Sequence, residues 1–147
     1  MKKTLTLTLV SLLSLSLLAQ SESDGILGEW YTAEKDAVVT IFLDGETISG
    51  KTTWMEEPNE SNGNPKLDKQ NPDETLRNRK RLGLKIMEGF VYKGNNIWED
   101  GKIYKPSNGK TYGGTATLIE NNTLELEGYL ISLPFIGKTS TWTRKTK

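Results

Sequence analysis

"TLELEGYL", residues 123–130, alternates apolar and polar side chains along its whole length. The apolar positions share one face of an extended chain: Leu124, Leu126, Gly128 and Leu130. The opposite face carries two glutamates and a tyrosine. This period of two is typical of a strand with one buried and one solvated face, as in antiparallel sheets.

Other short extended segments occur along most of the chain, separated by turn signals. Segment 37–43 is rich in β-branched and aromatic residues, and Asp44-Gly45 follows it as a hairpin turn. Segments 28–33, 47–54 and 138–145 have the same character. Short strands at close spacing indicate a sandwich or a barrel. We expect an all-β fold, a small antiparallel barrel of about six to nine strands, with one short helix.

The first 21 residues have the pattern of a secretory signal peptide. Lys2 and Lys3 form a basic start, an apolar Ser/Thr-rich run follows, and Ala19 and Ser21 fit a small-residue cleavage site. Cleavage after Ala19 is the alternative, and a retained membrane anchor is a further one. We predict a periplasmic or secreted protein whose residues 22–147 form a single barrel domain.

Composition excludes several chemistries. The 147 residues include no Cys and no His, which removes disulfides, thiol nucleophiles, Ser-His-Asp catalysis and ordinary zinc sites. Without Lys2 and Lys3, 17 basic residues face 19 acidic ones, a net charge of −2, which argues against a nucleic-acid partner. Residues 22–147 contain no second apolar span. No cofactor and no metal are predicted.

Segment 55–83 interrupts the strand pattern with a polar, Asn- and Pro-rich insertion. Asn71, as N-cap before Pro72, predicts a short helix over 72–79. Long loops inside compact domains often act as lids or binding loops; a mobile surface excursion is the alternative.

Two clusters in this insertion have competing interpretations. Four oxygen-bearing side chains could ligate calcium: Asp68, Asn71, Asp73 and Glu74. We favour the alternative, in which Asn71 and Asp73 serve as helix caps. Four basic residues also form a cluster: Arg77, Arg79, Lys80 and Arg81. The cluster could bind an anionic group, but we favour the interpretation that it is a solvated face.

An ordered series of motifs resembles the domain of unknown function 2147 family of exported bacterial proteins. The motifs span about 28–144: "GEWYT", "NPDETLRNR", "GLKIMEGF", "WEDGKIYKPSNGKTY" and the closing "GKTSTWTR". The resemblance implies export and a small β-rich fold, without an established activity. The chain departs from the expected pattern at three places: Lys80-Arg81, Asp100 and Lys105.

A weaker resemblance connects Gly28-Glu29-Trp30 to the first strand of lipocalins. The resemblance implies that an arginine of the last strand covers this tryptophan. Arg144 follows Trp142 at a same-face spacing, so Trp30 and Arg144 are predicted to form a structural plug at one barrel end. A simple core role for Trp30 is the alternative.

Segment 98–114, "WEDGKIYKPSNGKTYGG", is the best candidate for a site wall. A two-residue turn at Asn108-Gly109 puts Ile103, Tyr112, Gly114, Ala116 and Leu118 on a core face. The other face then carries a mixed aromatic and charged row: Trp98, Asp100, Lys102 and Tyr104. Such a row suits ligand binding and equally suits an ordinary solvated sheet face. A longer turn would shift the register.

We expect residues 62–82 to fold back over the sheet near Trp98 and Tyr104, because an N-capped helix directly before a core segment is unsuited to a free linker. Docking would add Asp68, Arg77 and Arg79 to the candidate site.

Three function classes follow. The first is a binding module for a small apolar or amphipathic ligand. The second is an envelope protein that docks another protein, and the third is a carboxylate-based enzyme, for which no catalytic residue is assigned.

Overall fold

A computed structural model describes residues 22–147, so the predicted signal segment 1–21 lies outside the described residues. The strands are β1 (Gly28–Tyr31), β2 (Ala37–Asp44), β3 (Thr47–Met55), β4 (Lys85–Tyr92), β5 (Ile97–Lys105), β6 (Lys110–Glu120), β7 (Thr123–Leu130) and β8 (Leu133–Arg144). One 3₁₀ helix, Glu74–Leu76, lies between β3 and β4. The chain is therefore almost entirely β, as predicted.

The eight strands form a closed antiparallel barrel in which each strand pairs with the next one in sequence. The first and last strands close the ring through two paired positions, Trp30 with Arg144 and Tyr31 with Thr143. The expected small antiparallel barrel is confirmed. Because consecutive strands alternate in direction, the β3–β4, β5–β6 and β7–β8 connections all lie at one end of the barrel.

The barrel interior is filled by apolar side chains. The alternating face of β7 supplies Leu124 and Leu126, and Trp30 and Trp98 are fully buried. The same buried cluster contains Val39, Ile41, Met87, Phe90, Ala116 and Trp142 among others. An eight-stranded barrel either packs side chains inside or holds one small ligand. Here large aromatic side chains fill the interior.

The position of Trp98 corrects the predicted face assignment. Trp98 pairs with Ala116 and Gly101 pairs with Gly114, so β5 has one residue more than β6 over this stretch. The extra residue forms a β-bulge in which Asp100 has φ +63°. The bulge rotates Trp98 into the interior, while Lys102 stays on the outer face.

The β5–β6 turn is also longer than predicted. Lys105 pairs with Lys110, which leaves a four-residue connection, and Ile103 pairs with Tyr112 instead of Gly114. This shift moves the partner by two positions and therefore preserves the faces. Ile103 packs against the core as expected, and Gly114 is needed there because a side chain would collide with Phe90 and Ile103.

The predicted helix over 72–79 is wrong in extent, since only Glu74–Leu76 is helical. The cap is Asp73, whose side chain accepts from the Thr75 N–H. The Asn71 side chain instead accepts from the Asp73 N–H in a local turn, which competes with helical bonding. Leu76 is exposed, so no apolar face stabilises a longer helix.

One barrel end is closed by the predicted Trp30–Arg144 contact. The Arg144 guanidinium lies 4.2 Å from the centroid of the Trp30 ring. It donates to the carbonyls of Leu27 at 2.8 Å and Gly25 at 2.6 Å, and the Trp30 indole donates to the Ile26 carbonyl at 2.8 Å. Burial lowers the pKa of Arg144. These bonds join the segment before β1 to the end of β8.

Within residues 22–147, no helix has the length and apolar character needed to cross a membrane.

Candidate functional site

The insertion between β3 and β4 docks on the outer face of the barrel through the buried carboxylate of Asp68. The Tyr104 hydroxyl donates to Asp68 Oδ1 at 2.6 Å. The Asn71 amide donates to Oδ2 at 2.8 Å, and Arg79 Nε donates to the same oxygen at 2.9 Å. Asp68 is fully buried, and these three donors satisfy it.

The environment of Asp68 acts on its pKa in two directions. Burial alone raises the pKa of this carboxyl, because it disfavours the charged form. The hydrogen bonds from Tyr104, Asn71 and Arg79, with the charge of Arg79, act against burial and hold the pKa below its usual 3.8. Asp68 is therefore a carboxylate at neutral pH, and its role here is to hold the insertion in place.

Tyr104 links this anchor to the sheet. The Arg79 guanidinium lies 5.8 Å from the centre of the Tyr104 ring, within cation–π range. Burial, followed by the hydrogen bond to Asp68, raises the pKa of the Tyr104 hydroxyl. This hydroxyl stays protonated at neutral pH and can donate to Asp68.

A second anchor joins the insertion to the β5–β6 turn. Arg81 Nε donates to the Leu67 carbonyl at 3.0 Å, and its Nη2 donates to the Pro106 carbonyl at 3.5 Å. Gly109, with φ +69°, allows the backbone of Gln70 to approach where any side chain would collide. The expected return of residues 62–82 to the sheet is therefore confirmed at Tyr104, but not at Trp98, which lies inside the barrel.

A cleft of about 730 Å³ lies between the docked insertion and the outer faces of β4, β5 and β6. This volume is in the range of small-molecule sites. The insertion and the residues entering β4 form an apolar wall: Pro72, Leu82, Leu84 and Ile86. Four basic side chains line the same cleft: Arg79, Lys80, Lys85 and Lys102. One acidic side chain, Glu88, accompanies them.

Two of these basic groups are held by acids and two are not. Arg79 is bound to Asp68, and Lys85 lies 3.4 Å from Asp44 and 3.7 Å from Glu88. Lys80 and Lys102 form no ion pair with any residue of the range 22–147. The cleft therefore presents an apolar wall beside two lysines that have no ion-pair partner among residues 22–147, although Glu88 is the position opposite Lys102 in the β4–β5 ladder.

The structure brings four predicted site residues together, Asp68, Arg79, Lys102 and Tyr104, at or beside this cleft. Asp100 lines a smaller neighbouring cleft of about 340 Å³, which shares Lys85, Glu88 and Lys102 with the first. Its carboxylate lies 2.9 Å from Lys93.

Arg77 does not reach the Asp68 anchor. Its Nε donates to the Asn71 carbonyl at 2.8 Å, and its Nη1 lies 3.4 Å from Glu74.

The sequence pattern did not predict the apolar wall. The apolar segment that follows the predicted helix, residues 82–90, is expected to enter the core. The structure buries Leu84 and leaves Leu82 42% exposed at the cleft. Lys80, considered as part of a basic cluster, was not assigned to the site. No group of three or more acidic, His or Cys side chains within residues 22–147 is placed to hold a metal ion.

An eight-stranded up-and-down barrel, plugged at one end by a Trp–Arg contact, defines a lipocalin-like protein. The family model described as "Uncharacterized protein conserved in bacteria (DUF2147)" matches residues 28–144, and the chain belongs to this family.

Among solved structures, the chain is similar to protein HP1028 from Helicobacter pylori, described as belonging to the lipocalin family. The two share 26% identity with a TM-score of 0.72, over 83% of this chain and 84% of that one. No curated protein matches the chain significantly.

Proposed function

We propose that this protein is an exported binding protein for a small amphipathic ligand that carries an anionic group. The observation that carries the proposal is the outer cleft, where an apolar wall stands beside two unpaired lysines. The barrel interior is a poor alternative because Trp30, Trp98 and Phe90 occupy it. The binding site proposed here lies outside the barrel and exists only while the insertion is docked.

The chemistry of the lining suggests how such a ligand is oriented. Its apolar part packs on Leu82 and Ile86, which removes apolar surface from water. Its anionic group lies between Lys80 and Lys102, where charge-assisted hydrogen bonds replace water. The lipocalin-like fold supports ligand binding as a class of function, and the signal pattern in residues 1–21 supports the periplasm or the exterior as its location.

The geometry gives less support to a carboxylate-based enzyme. An enzyme with two cooperating carboxylates needs them in one pocket at a defined separation, whereas Asp68 is held by three donors and Asp100 lies in the neighbouring cleft.

Dodecanoate, an anionic amphiphile, is a suitable probe in isothermal titration calorimetry of residues 22–147. Replacing both lysines, Lys80→Gln with Lys102→Gln, should weaken binding about tenfold or more, since two charge-assisted contacts are lost. Leu82→Asp should weaken it to a similar extent by placing a charge on the apolar wall. The cationic dodecyltrimethylammonium should bind more weakly than dodecanoate.

Lys51→Gln is the matched control, because Lys51 is exposed on β3, lies over Phe42 and does not line the cleft. Its affinity should match that of the wild type. Tight binding of dodecanoate that survives both the lysine replacements and Leu82→Asp would refute the outer cleft as the site, as would the absence of any binding by the wild type.

A further inference from the structure

We infer that the tip of the β7–β8 hairpin is a membrane-docking loop for an anionic lipid surface. Five large apolar side chains are exposed there: Leu130, Ile131, Leu133, Phe135 and Ile136. Phe135 is 82% exposed and Ile131 is 57% exposed. Exposed apolar clusters of this kind mark contact surfaces.

The composition of the tip suits the interface of a bilayer. Residues 128–137 read GYLISLPFIG and contain no charged side chain. Ile131 lies in the turn, and Phe135 and Ile136 are adjacent, so the apolar surface surrounds the tip instead of covering one face. A lipid medium covers such a surface on all sides, whereas a flat protein partner covers only one.

The hairpin is also protected against the addition of another strand. Residues 133–142 of β8 have no paired position on β1, which pairs only with Thr143 and Arg144. Pro134 and the exposed Lys138 on this free edge hinder the pairing of another strand. A register shift hinders it as well, since Leu133 stands opposite Leu130 but Gly137 opposite Tyr129. Strand exchange with a second copy is therefore disfavoured.

Three unpaired lysines at the same barrel end can contact the headgroups of an anionic surface. Lys105 and Lys110 pair across the neighbouring β5–β6 hairpin, and Lys138 follows the apolar tip. All three are exposed, and none forms an ion pair with another residue of the described range 22–147. Basic side chains next to shallowly inserted apolar groups are the usual pattern of reversible membrane binding.

Vesicle flotation tests this inference with residues 22–147, which contain all eight strands. Vesicles of phosphatidylcholine with about 30% phosphatidylglycerol provide the anionic surface. The wild type should float with them, and Ile131→Ser with Phe135→Ser should reduce the bound fraction about tenfold. Lys105→Gln with Lys110→Gln should reduce binding to these vesicles but not the weaker binding to pure phosphatidylcholine.

Leu43→Ser with Ile119→Ser is the matched control. These residues are 54% and 50% exposed next to turns at the opposite barrel end, so vesicle binding should be unchanged. Thermal unfolding checks that each variant is folded. The inference is overturned if the wild type stays with the unbound fraction, or if the hairpin variant floats as well as the control. A hairpin variant that changes only the oligomeric state, measured by light scattering, also overturns it, because a second copy then covers the tip.

Discussion

Two aromatic residues have hydrogen-bonded polar groups in different surroundings: Trp30 lies inside the barrel, and Tyr104 lies on its outer face. The Trp30 indole bonds one backbone carbonyl and is otherwise enclosed by apolar side chains and Arg144. The Tyr104 hydroxyl bonds a buried carboxylate that also receives bonds from Asn71 and Arg79. The interior therefore depends on packing, and the outer region depends on one shared polar group.

Because of this difference, the stability of the barrel and the integrity of the candidate site should depend on different residues. Removing an interior side chain should weaken the whole barrel, because its strands share one core. Removing the Asp68 anchor should release the insertion first, since few contacts hold it. The following predictions test that separation.

The largest effect is expected from Trp30→Ala. The substitution leaves a cavity in the core and removes the surface on which Arg144 stacks, and it should lower the free energy of unfolding by about 3–5 kcal/mol. Urea unfolding followed by circular dichroism measures this. Trp54→Ala is the control; Trp54 is 43% exposed and contacts Tyr31 edge-on outside the barrel, so its loss should cost about 1 kcal/mol. Equal losses for the two variants would contradict the packed interior.

The next effect is expected from Asp68→Asn at neutral pH. An asparagine oxygen still accepts from Tyr104, but its amide then faces the donors of Asn71 and Arg79. The free energy of unfolding should fall by about 1.5–3 kcal/mol.

Trypsin should then cleave at Lys66 and Lys69 faster than in the wild type, while the barrel strands remain protected. Asp73→Asn is the control on the same loop, since asparagine caps a helix as well as aspartate does. If the two variants are cut at the same rate, Asp68 is not the anchor.

A related effect concerns acid. The pKa of Asp68 is lowered in the folded protein, so its contribution to stability is present above its unfolded pKa and is lost as pH falls through the lower folded pKa. Wild-type stability should therefore decrease between about pH 5 and pH 2. Asp44 and Asp73 also have lowered pKa values and contribute to this decrease. The Asp68→Asn variant should show a smaller decrease; an identical pH profile would show that Asp68 is not paired in solution.

The smallest effect concerns the β5 bulge. Asp100 has a positive φ, which a β-branched side chain tolerates poorly and glycine tolerates freely. Asp100→Val should destabilise the protein by about 1–2 kcal/mol, whereas Asp100→Gly, which loses only the exposed ion pair with Lys93, should stay within about 0.5 kcal/mol of the wild type. A neutral Asp100→Val would indicate that β5 has no bulge and that Trp98 is not fixed in the interior.

Local sequence patterns predicted the barrel well because each strand carries its own alternation and turn signals. In β7, for example, Leu124 and Leu126 are buried as their spacing indicates. The prediction failed at Trp98, because the extra residue at Asp100 moves the preceding residues of β5 to the opposite face of the strand. The alternation of apolar and polar residues does not show where such a bulge occurs. The sequence did mark this position, because Asp100 is one of the three places where the chain departs from the pattern of the family.

The candidate site was predicted only in part. The return of the insertion to Tyr104 followed from its composition, but the partner of Tyr104 depends on how a long loop folds in three dimensions. Arg77 and Arg79 look equivalent in sequence, yet only Arg79 bonds Asp68. The helix predicted to present them is only Glu74–Leu76, because the Asn71 side chain binds the Asp73 N–H in a local turn instead and the exposed Leu76 gives a longer helix no apolar face.

The contact of Arg144 with Leu27 spans 117 positions of the chain. All the other strand pairings join strands that are consecutive in the sequence. The pairing of β1 with β8 can form only after residue 144 has been synthesised. Any sheet formed before that point is open, with an unpaired strand at each edge.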